Sequence, residues 1–268
     1  MAALDIFDQP ALWRVEAAAA LGLDGEQLIA AVSPGPAYPE ALRSLVLALP
    51  ECPRLIVDLG AGGGGPSEWL RTTTGAAVYA VEPAPGARQA AQRAFPNLRV
   101  LDGRADDAPL PGGVADVVIL SGVLSLLDDV EPVLEEVERI LTTGGRVAIA
   151  DLFSADSTTW SSGSNTFRSI EDLIATLRRR GFTVSNVGVG EPVPDPTWSA
   201  VAKAVDDWID AHRSNRPGYE AWRSDRRRLG DLARSGKVVG GCLTATQNGS
   251  EPNEASHAIF AHAQPKKT

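Results

Sequence analysis

The sequence is poor in the residues that build metal centres and disulfide frameworks: three histidines and two cysteines in 268 residues. Cys52 and Cys242 lie far apart and form no CxxC pair, which excludes a disulfide scaffold and points to reduced, mostly buried thiols. The histidines His212, His257 and His262 form no HxxxH pattern and no acidic cluster accompanies them, so no metal is expected. Long apolar runs are also missing. Val114 to Leu120 and Val147 to Ala150 fall well short of the roughly 20 residues of a membrane span. The first residues lack a basic stretch followed by an apolar one, so no secretory signal is read and a cytoplasmic location is expected.

Positive charge is scarce as well. A net charge of -9 disfavours nucleic acid as a partner, because such binding draws on clustered Lys and Arg. The runs Arg178 to Arg180 and Arg226 to Arg228 read as solvated helix faces. The oligomeric state has no signature. Since 44% hydrophobic and 22% charged residues are ordinary globular proportions, disorder is excluded and one main domain with a cap is expected.

Periodicity organises the chain. A helix is predicted from Pro10, placed as a first helical residue, to about Leu21, with others over Gly25 to Val32 and Glu40 to Leu49. Strands follow at Leu55 to Gly60, Val78 to Glu82, Arg99 to Asp102, Val114 to Ser121, Arg146 to Asp151 and Thr183 to Val189, with helical stretches between them. In Pro132 to Leu141 the residues Val133, Leu134, Val137, Ile140 and Leu141 share one face, and Gly144 is read as the stop. Ser169 with Asp172 predicts a capped helix to Arg180. Such alternation argues for α/β architecture with a doubly wound, parallel sheet. The stretch from Glu191 to Ser235 breaks it with a helical stripe of Trp198, Val201, Val205, Trp208 and Ile209, read as a cap. Strand patterns return at Val238 to Gln247 and His257 to Gln264. The expected division is an N-terminal helical lid at 1–40, a Rossmann-like core at 41–190, the cap at 191–236 and terminal strands at 237–268.

The most informative segment is Asp58-Leu59-Gly60-Ala61-Gly62-Gly63-Gly64-Gly65, a strand end running into a helix. Glycines suit such a loop because a ligand must approach the backbone where a Cβ would obstruct it. Glu82 ends the next strand, where a carboxylate can accept hydrogen bonds from both hydroxyls of a ribose. Together they point to a nucleoside ligand. Gly60, Gly62 and Gly65 also satisfy GxGxxG, so these residues alone leave a nicotinamide dinucleotide open.

The ordered segments VDLGAGGGG, VYAVEP, GRADDAPLPGGVADVVILSGVLSLLDD and VLEEVERILTTGGRVAIADLF resemble the motifs of the class I, Rossmann-like S-adenosylmethionine-dependent methyltransferases, and within them the type 11, ubiquinone-biosynthesis-like group. The resemblance covers about Arg54 to Phe153. It implies a seven-stranded sheet, mostly parallel with one antiparallel strand, which either Val238 to Gln247 or His257 to Gln264 could supply. It also implies S-adenosylmethionine as cofactor and a small-molecule acceptor, with oxygen slightly favoured as the methylated atom. Gly60, Ala61, Gly62 and Gly64 would surround the methionine part, Asp58 would steady the loop near its ammonium, and Glu82 and Pro83 would hold the ribose. Ala105 would meet the adenine through its backbone, Asp106 or Asp107 would lie near the adenine amino group, and Ser121 would border cofactor and acceptor. Arg104 stands where the family often has aspartate, and Ser125 and Leu126 where relatives often carry histidine.

The catalytic residue is unknown from sequence. Two candidate bases are His212 at the end of the aromatic helix and Asp151 at the rim of the fifth strand. Trp13, Trp160, Trp198, Trp208, Tyr219 and Trp222 lie mostly outside the motifs, for cap packing or an apolar acceptor. Two rivals share the glycine loop. One is a nicotinamide-dependent oxidoreductase, which lacks a Tyr-x-x-x-Lys pair here; the other is a non-catalytic nucleoside-binding module.

Overall fold

The computed structural model describes residues 5–34, 42–43, 52–190 and 195–248. Helices α1 (Asp5–Ala20) and α2 (Gly25–Ala31) precede the first strand, β1 (Leu55–Leu59). Then come α3 (Gly65–Thr74), β2 (Ala77–Glu82), α4 (Pro85–Ala94), β3 (Arg99–Asp102), β4 (Ala115–Ser121), α5 (Glu131–Ile140) and β5 (Leu141–Ser154). A short hairpin, β6 (Trp160–Ser162) with β7 (Asn165–Phe167), leads to α6 (Ile170–Arg179) and β8 (Phe182–Gly190). Helices α7 (Pro196–Arg213) and α8 (Tyr219–Arg234) separate β8 from β9 (Val238–Gln247).

Seven strands form one sheet in the order β3-β2-β1-β4-β5-β9-β8. Pairing is parallel from β3 through to β5, and β9 runs antiparallel to both neighbours, so it alone is reversed. Val238–Gln247 therefore takes the antiparallel place, while His257 to Gln264 lies outside the described residues. The apolar runs follow from burial on both faces. Ile56, Val78, Val117, Ile119 and Ala148 pack with Trp69, Leu70 and Phe95 on one side. Val57, Leu59, Val118, Leu120 and Ile149 pack with Val133, Leu134, Val137, Leu173 and Leu177 on the other. The chain steps from β1 outward in both directions, so the switch point of the sheet falls between the carboxyl ends of β1 and β4. Ligands of open α/β sheets bind at that position.

Several local expectations meet the structure differently. Helix α1 starts five residues before Pro10 and carries the proline inside. The missing proline N–H removes a single intrahelical bond, which the packed helix tolerates. Ile140 ends α5 and β5 begins at once; residues 142–145 loop out between the Ala115–Leu141 and Val117–Arg146 pairs, with Gly144 at φ 75°. Of the helix expected over Glu40 to Leu49, only Leu42 and Arg43 are described, and Leu42 is buried. Cys52 is exposed and Cys242 only partly covered. The Ser169 cap forms, with its side chain accepting from Asp172 N at 3.1 Å.

The arginine runs are not simple solvated faces. Arg180 crosses to α5, bonding Glu131 at 2.6 Å, Glu138 at 2.8 Å and Glu135 at 3.2 Å. Arg226 bonds Asp206, and Arg228 bonds Asn165 and Asp225. The stripe of α7 does bury Trp198, Val201, Val205 and Ile209, in a cluster shared with Trp13, Ala17, Ile29, Tyr219 and Trp222. Trp13 meets Trp222 edge-on at 6.1 Å. Helices α1, α2, α7 and α8 thus pack as one helical layer.

Candidate functional site

The glycine loop leaves β1 at the switch point. Its first amides, Gly60 N and Ala61 N, donate to Val81 O at 2.8 and 3.1 Å, which ties the loop to β2. Gly60, Gly62 and Gly64 all have positive φ, at 78°, 55° and 80°. Among the described residues, a Cβ on Gly62 would meet nothing within 4 Å, so this turn faces open space. Gly60 and Gly64 are packing glycines: a Cβ would stand 2.6 Å from Val123 Cγ2 in the first and 2.9 Å from Leu98 Cδ2 in the second. The end of α2 closes on the loop from outside. Val32 O would lie 3.2 Å from a Cβ on Gly63, and Ser33 Oγ 2.1 Å from one on Gly65.

Two carboxylates flank the open turn. Asp58 is buried and accepts from Ser67 Oγ at 2.5 Å through Oδ2, while Oδ1 is buried with no partner among the described residues. Burial, against the Ser67 bond and with a push from Glu82, raises its pKa to about 6. Glu82 is 6% exposed and accepts from Gly62 N and Ala84 N, both at 2.8 Å. Burial raises its pKa too, opposed by those two amides and by Arg88. A carboxylate has about four acceptor positions, so both carboxylates retain capacity for a ligand. Pro83 O and Glu82 O accept from Arg88 Nη1 at 2.7 and 2.9 Å, which fixes the turn into α4. Asp8 Oδ1 accepts from Gly86 N, joining α1 to that turn.

On the neighbouring loop Asp106 is engaged by Arg104, at 2.7 Å from Nε and 2.9 Å from Nη2. That bond holds the Asp106 carboxyl below its ordinary range. Ala105 sits half-buried between the two, and their neighbour Asp107 exchanges backbone bonds with Arg104. Arg104, in the place of the family aspartate, therefore orders this loop through Asp106. Ser121, half-buried, ends β4 opposite Ala150.

After Ser121 the chain makes a single 3₁₀ turn, Leu124–Leu126, held from both sides. Asp151, fully enclosed, accepts from Leu124 N at 2.7 Å and Ser125 N at 3.3 Å, and from Leu152 N at 2.7 Å. Arg168 donates to Leu124 O, Leu127 O and Asp128 O at 2.9, 2.6 and 2.5 Å. His212 is exposed on α7; its Nδ1 lies 2.8 Å from Trp208 O and its ring stacks on Trp208 at 4.5 Å. The structure thus brings Asp58, Gly60, Ala61, Gly62, Gly64, Glu82 and Pro83 together, and sets Asp151 beneath the adjoining turn. Sequence reasoning missed Arg168, whose only signal is its place beside the Ser169 cap, and Asp8, which carries none.

An open recess of about 460 Å3 lies on the same rim between β5 and β9, lined by Ala155, Asp156, Trp160, Gly236 and Lys237. Among the described residues no group of three or more His, Cys, Asp or Glu is placed to hold a metal ion, and no helix is long and apolar enough to cross a membrane.

Comparison with known proteins adds the following. Residues 57–149 match the family described as a methyltransferase domain. An uncharacterised methyltransferase of Mycobacterium tuberculosis is 34% identical over 115 residues, which covers 42% of this chain and 45% of that protein. The chain thus matches about half the length of its curated relatives. Phosphoethanolamine N-methyltransferase 2 of Haemonchus contortus, solved with S-adenosyl-L-methionine, superposes with a TM-score of 0.59 at 14% identity, over 79% of this chain and 53% of that one. A methyltransferase of Thiobacillus denitrificans, solved with S-adenosylhomocysteine, gives 0.59 at 18% identity over 80% and 93%. At such identities the structures share the fold.

Proposed function

We propose that the protein transfers a methyl group from S-adenosylmethionine to a small-molecule acceptor, a reading supported by the match of residues 57–149 to a methyltransferase domain. One observation carries this reading: two buried carboxylates, Asp58 with an oxygen unpartnered among the described residues and Glu82, flank a glycine turn where a Cβ on Gly62 would meet no described atom within 4 Å. A ligand with an ammonium at one end and a ribose diol further along fits that pair. Bound there, the cofactor supplies an electrophilic methyl on a sulfonium.

The residues of this chain then bind and align. Asp58 Oδ1 receives the ammonium, Glu82 the ribose hydroxyls, and the open face of Gly62 gives the methionine part its backbone contact. Ala105 and Asp106 border the adenine, and Ser121 borders the acceptor. Asp151 and Arg168 fix the turn after Ser121, so Asp151 acts here as a positioning residue. Methyl transfer is an in-line displacement that disperses positive charge, so alignment in a dry site supplies much of the catalysis. No metal is needed.

The expected partition places the lid at 1–40, the core at 41–190, the cap at 191–236 and the closing strands at 237–268. The recess at Trp160 and Lys237, on the rim beside β5, has a volume suited to a small molecule. We take a hydroxyl as the acceptor atom, the common choice in the family the motifs resemble. The net charge of -9 supports a reading without a nucleic-acid partner.

Incubation with methyl-labelled S-adenosylmethionine and a panel of phenols, alcohols, amines and carbon nucleophiles tests the proposal. Label should pass to a hydroxyl. Passage to nitrogen or carbon corrects the acceptor atom, and cofactor binding without transfer across the panel favours the binding module.

A protonation signature follows from Asp58. With a pKa of about 6 in the free protein, it is half protonated near that pH and ionised above it. Its buried charge therefore opposes folding at neutral pH, and stability from this group grows as pH falls through about 6 toward the ordinary carboxylate value of about 3.9. An ammonium beside it lowers the pKa again. Binding of S-adenosylhomocysteine near pH 6 should release a fraction of a proton, and near pH 8 almost none. Calorimetry in buffers of different ionisation enthalpy reads this, and the release should vanish in Asp58→Asn. Equal release at both pH values would rule Asp58 out as the ammonium partner.

A further inference from the structure

We propose that the helical layer against the glycine loop contains a binding site for an oxyanion, a carboxylate or phosphate group, centred on Arg14. Arg14 lies on α1 with its side chain 3% exposed. Nε donates to Ala31 O at 2.7 Å and Nη1 to Asp206 Oδ1 at 2.9 Å. Nη2 is buried and has no partner among the described residues. A guanidinium only donates, so whatever satisfies Nη2 must be an acceptor.

The local charge selects an anion. Asp206 is shared: Arg226 Nη2 reaches its other oxygen at 2.6 Å. Two guanidinium groups thus share one carboxylate and leave one positive charge in excess; Arg14 is the enclosed member, and the Arg226 side chain is 28% exposed. Burial, with the repulsion of Arg226, lowers the Arg14 pKa to about 10 against the pull of Asp206, so Arg14 stays charged at neutral pH. A buried donor without an acceptor is costly, and an anion on Nη2 supplies that acceptor beside a pair of guanidinium groups that share one carboxylate. Guanidinium forks suit carboxylate and phosphate oxygens.

The site adjoins the glycine loop. Ala31, which Arg14 holds, ends α2; the next residue, Val32, packs its carbonyl on Gly63, and Ser33 packs on Gly65. The unpartnered oxygen of Asp58, at the base of the same loop, has the opposite charge. Two donors of an oxyanion are chemically possible: the carboxylate of the amino-acid end of the cofactor, and an anionic group on the acceptor. Their identity rests on the methyltransferase reading, whereas the anion site itself does not.

Calorimetry on the full chain with S-adenosylhomocysteine and with methylthioadenosine, which lacks the amino-acid end, separates these cases. If the cofactor carboxylate fills the site, Arg14→Gln weakens S-adenosylhomocysteine by about ten- to a hundredfold and leaves methylthioadenosine unchanged. If an acceptor anion fills it, both nucleosides bind the variant as they bind wild type. Inorganic phosphate then raises the melting temperature of the methylthioadenosine-saturated wild type and not that of Arg14→Gln. Arg14→Lys, which keeps the charge and loses the fork, should fall between the two and serves where the glutamine variant does not fold. Equal weakening of both nucleosides, or no difference from wild type in either arm, would overturn the proposal. Failure of wild type to bind any nucleoside counts against the methyltransferase reading alone; the phosphate arm, run without nucleoside, then decides the anion site.

Discussion

Replacing Glu82 with alanine should weaken S-adenosylhomocysteine binding by at least about a hundredfold. Two hydrogen bonds from ribose hydroxyls to a carboxylate are worth about 1.5–3 kcal/mol each, so losing both removes about 3–6 kcal/mol. The change also releases Gly62 N and Ala84 N, the two amides that Glu82 holds at 2.8 Å, so the glycine turn loses its tie to the end of β2. Their exposure costs stability, while removal of a buried carboxylate whose pKa is raised by desolvation returns some of it. The expected pattern is therefore a large loss of affinity with a smaller loss of stability. Glu82→Gln retains one oxygen acceptor and should lie between. Calorimetry beside urea unfolding checks both parts. Unchanged affinity in Glu82→Ala would remove Glu82 from the ribose site.

Asp151→Ala should have the largest effect on folding. The carboxylate accepts from Leu124 N, Ser125 N and Leu152 N inside the protein, and its removal strands those donors. At about 1–3 kcal/mol for each of the three donors left unmatched, the loss is about 3–9 kcal/mol, a large part of a typical domain stability of about 5–15 kcal/mol. The turn Leu124–Leu126 would then keep Arg168 on its carbonyl side and its own backbone bonds, Leu126 N to Val123 O and Leu127 N to Leu124 O. Asp151→Asn keeps one oxygen acceptor and should cost less. The urea midpoint reads both variants. A change in Asp151→Ala below about 0.5 kcal/mol, the size of an ordinary surface substitution, would contradict the anchoring role.

The sheet was readable because its physics repeats along the chain. Strands buried on both faces give runs such as Val117 to Leu120, and helices packed on one face give the stripe Val133, Leu134, Val137 and Ile140. The glycine loop was readable because its context, strand then turn then helix, fixes what glycine is for. What stayed hidden depends on which elements become neighbours. The hairpin at Trp160–Phe167 has three-residue strands and owes its position to contacts such as Arg228 with Asn165 and Thr166 with Asp128. The Arg178 to Arg180 run reads as a solvated helix end until α5 is laid beside it, where Glu131, Glu135 and Glu138 receive Arg180. Arg14 looks like a surface charge in an alanine-rich helix and becomes buried only because α2 and α7 close on it. Glycine identity alone also hides the split within the loop, where Gly62 faces open space while Gly60 and Gly64 face packed side chains.

The central claim is that the cleft beside Gly62 and Glu82 takes S-adenosylmethionine. Titrating wild type and Gly62→Arg with S-adenosylhomocysteine and with NAD tests it most directly, because an arginine at a positive-φ position that faces open space fills the cleft. Micromolar binding of S-adenosylhomocysteine by wild type, absent in Gly62→Arg and much tighter than for NAD, is the expected result. Preference for NAD, or equal binding of S-adenosylhomocysteine by both proteins, would contradict it.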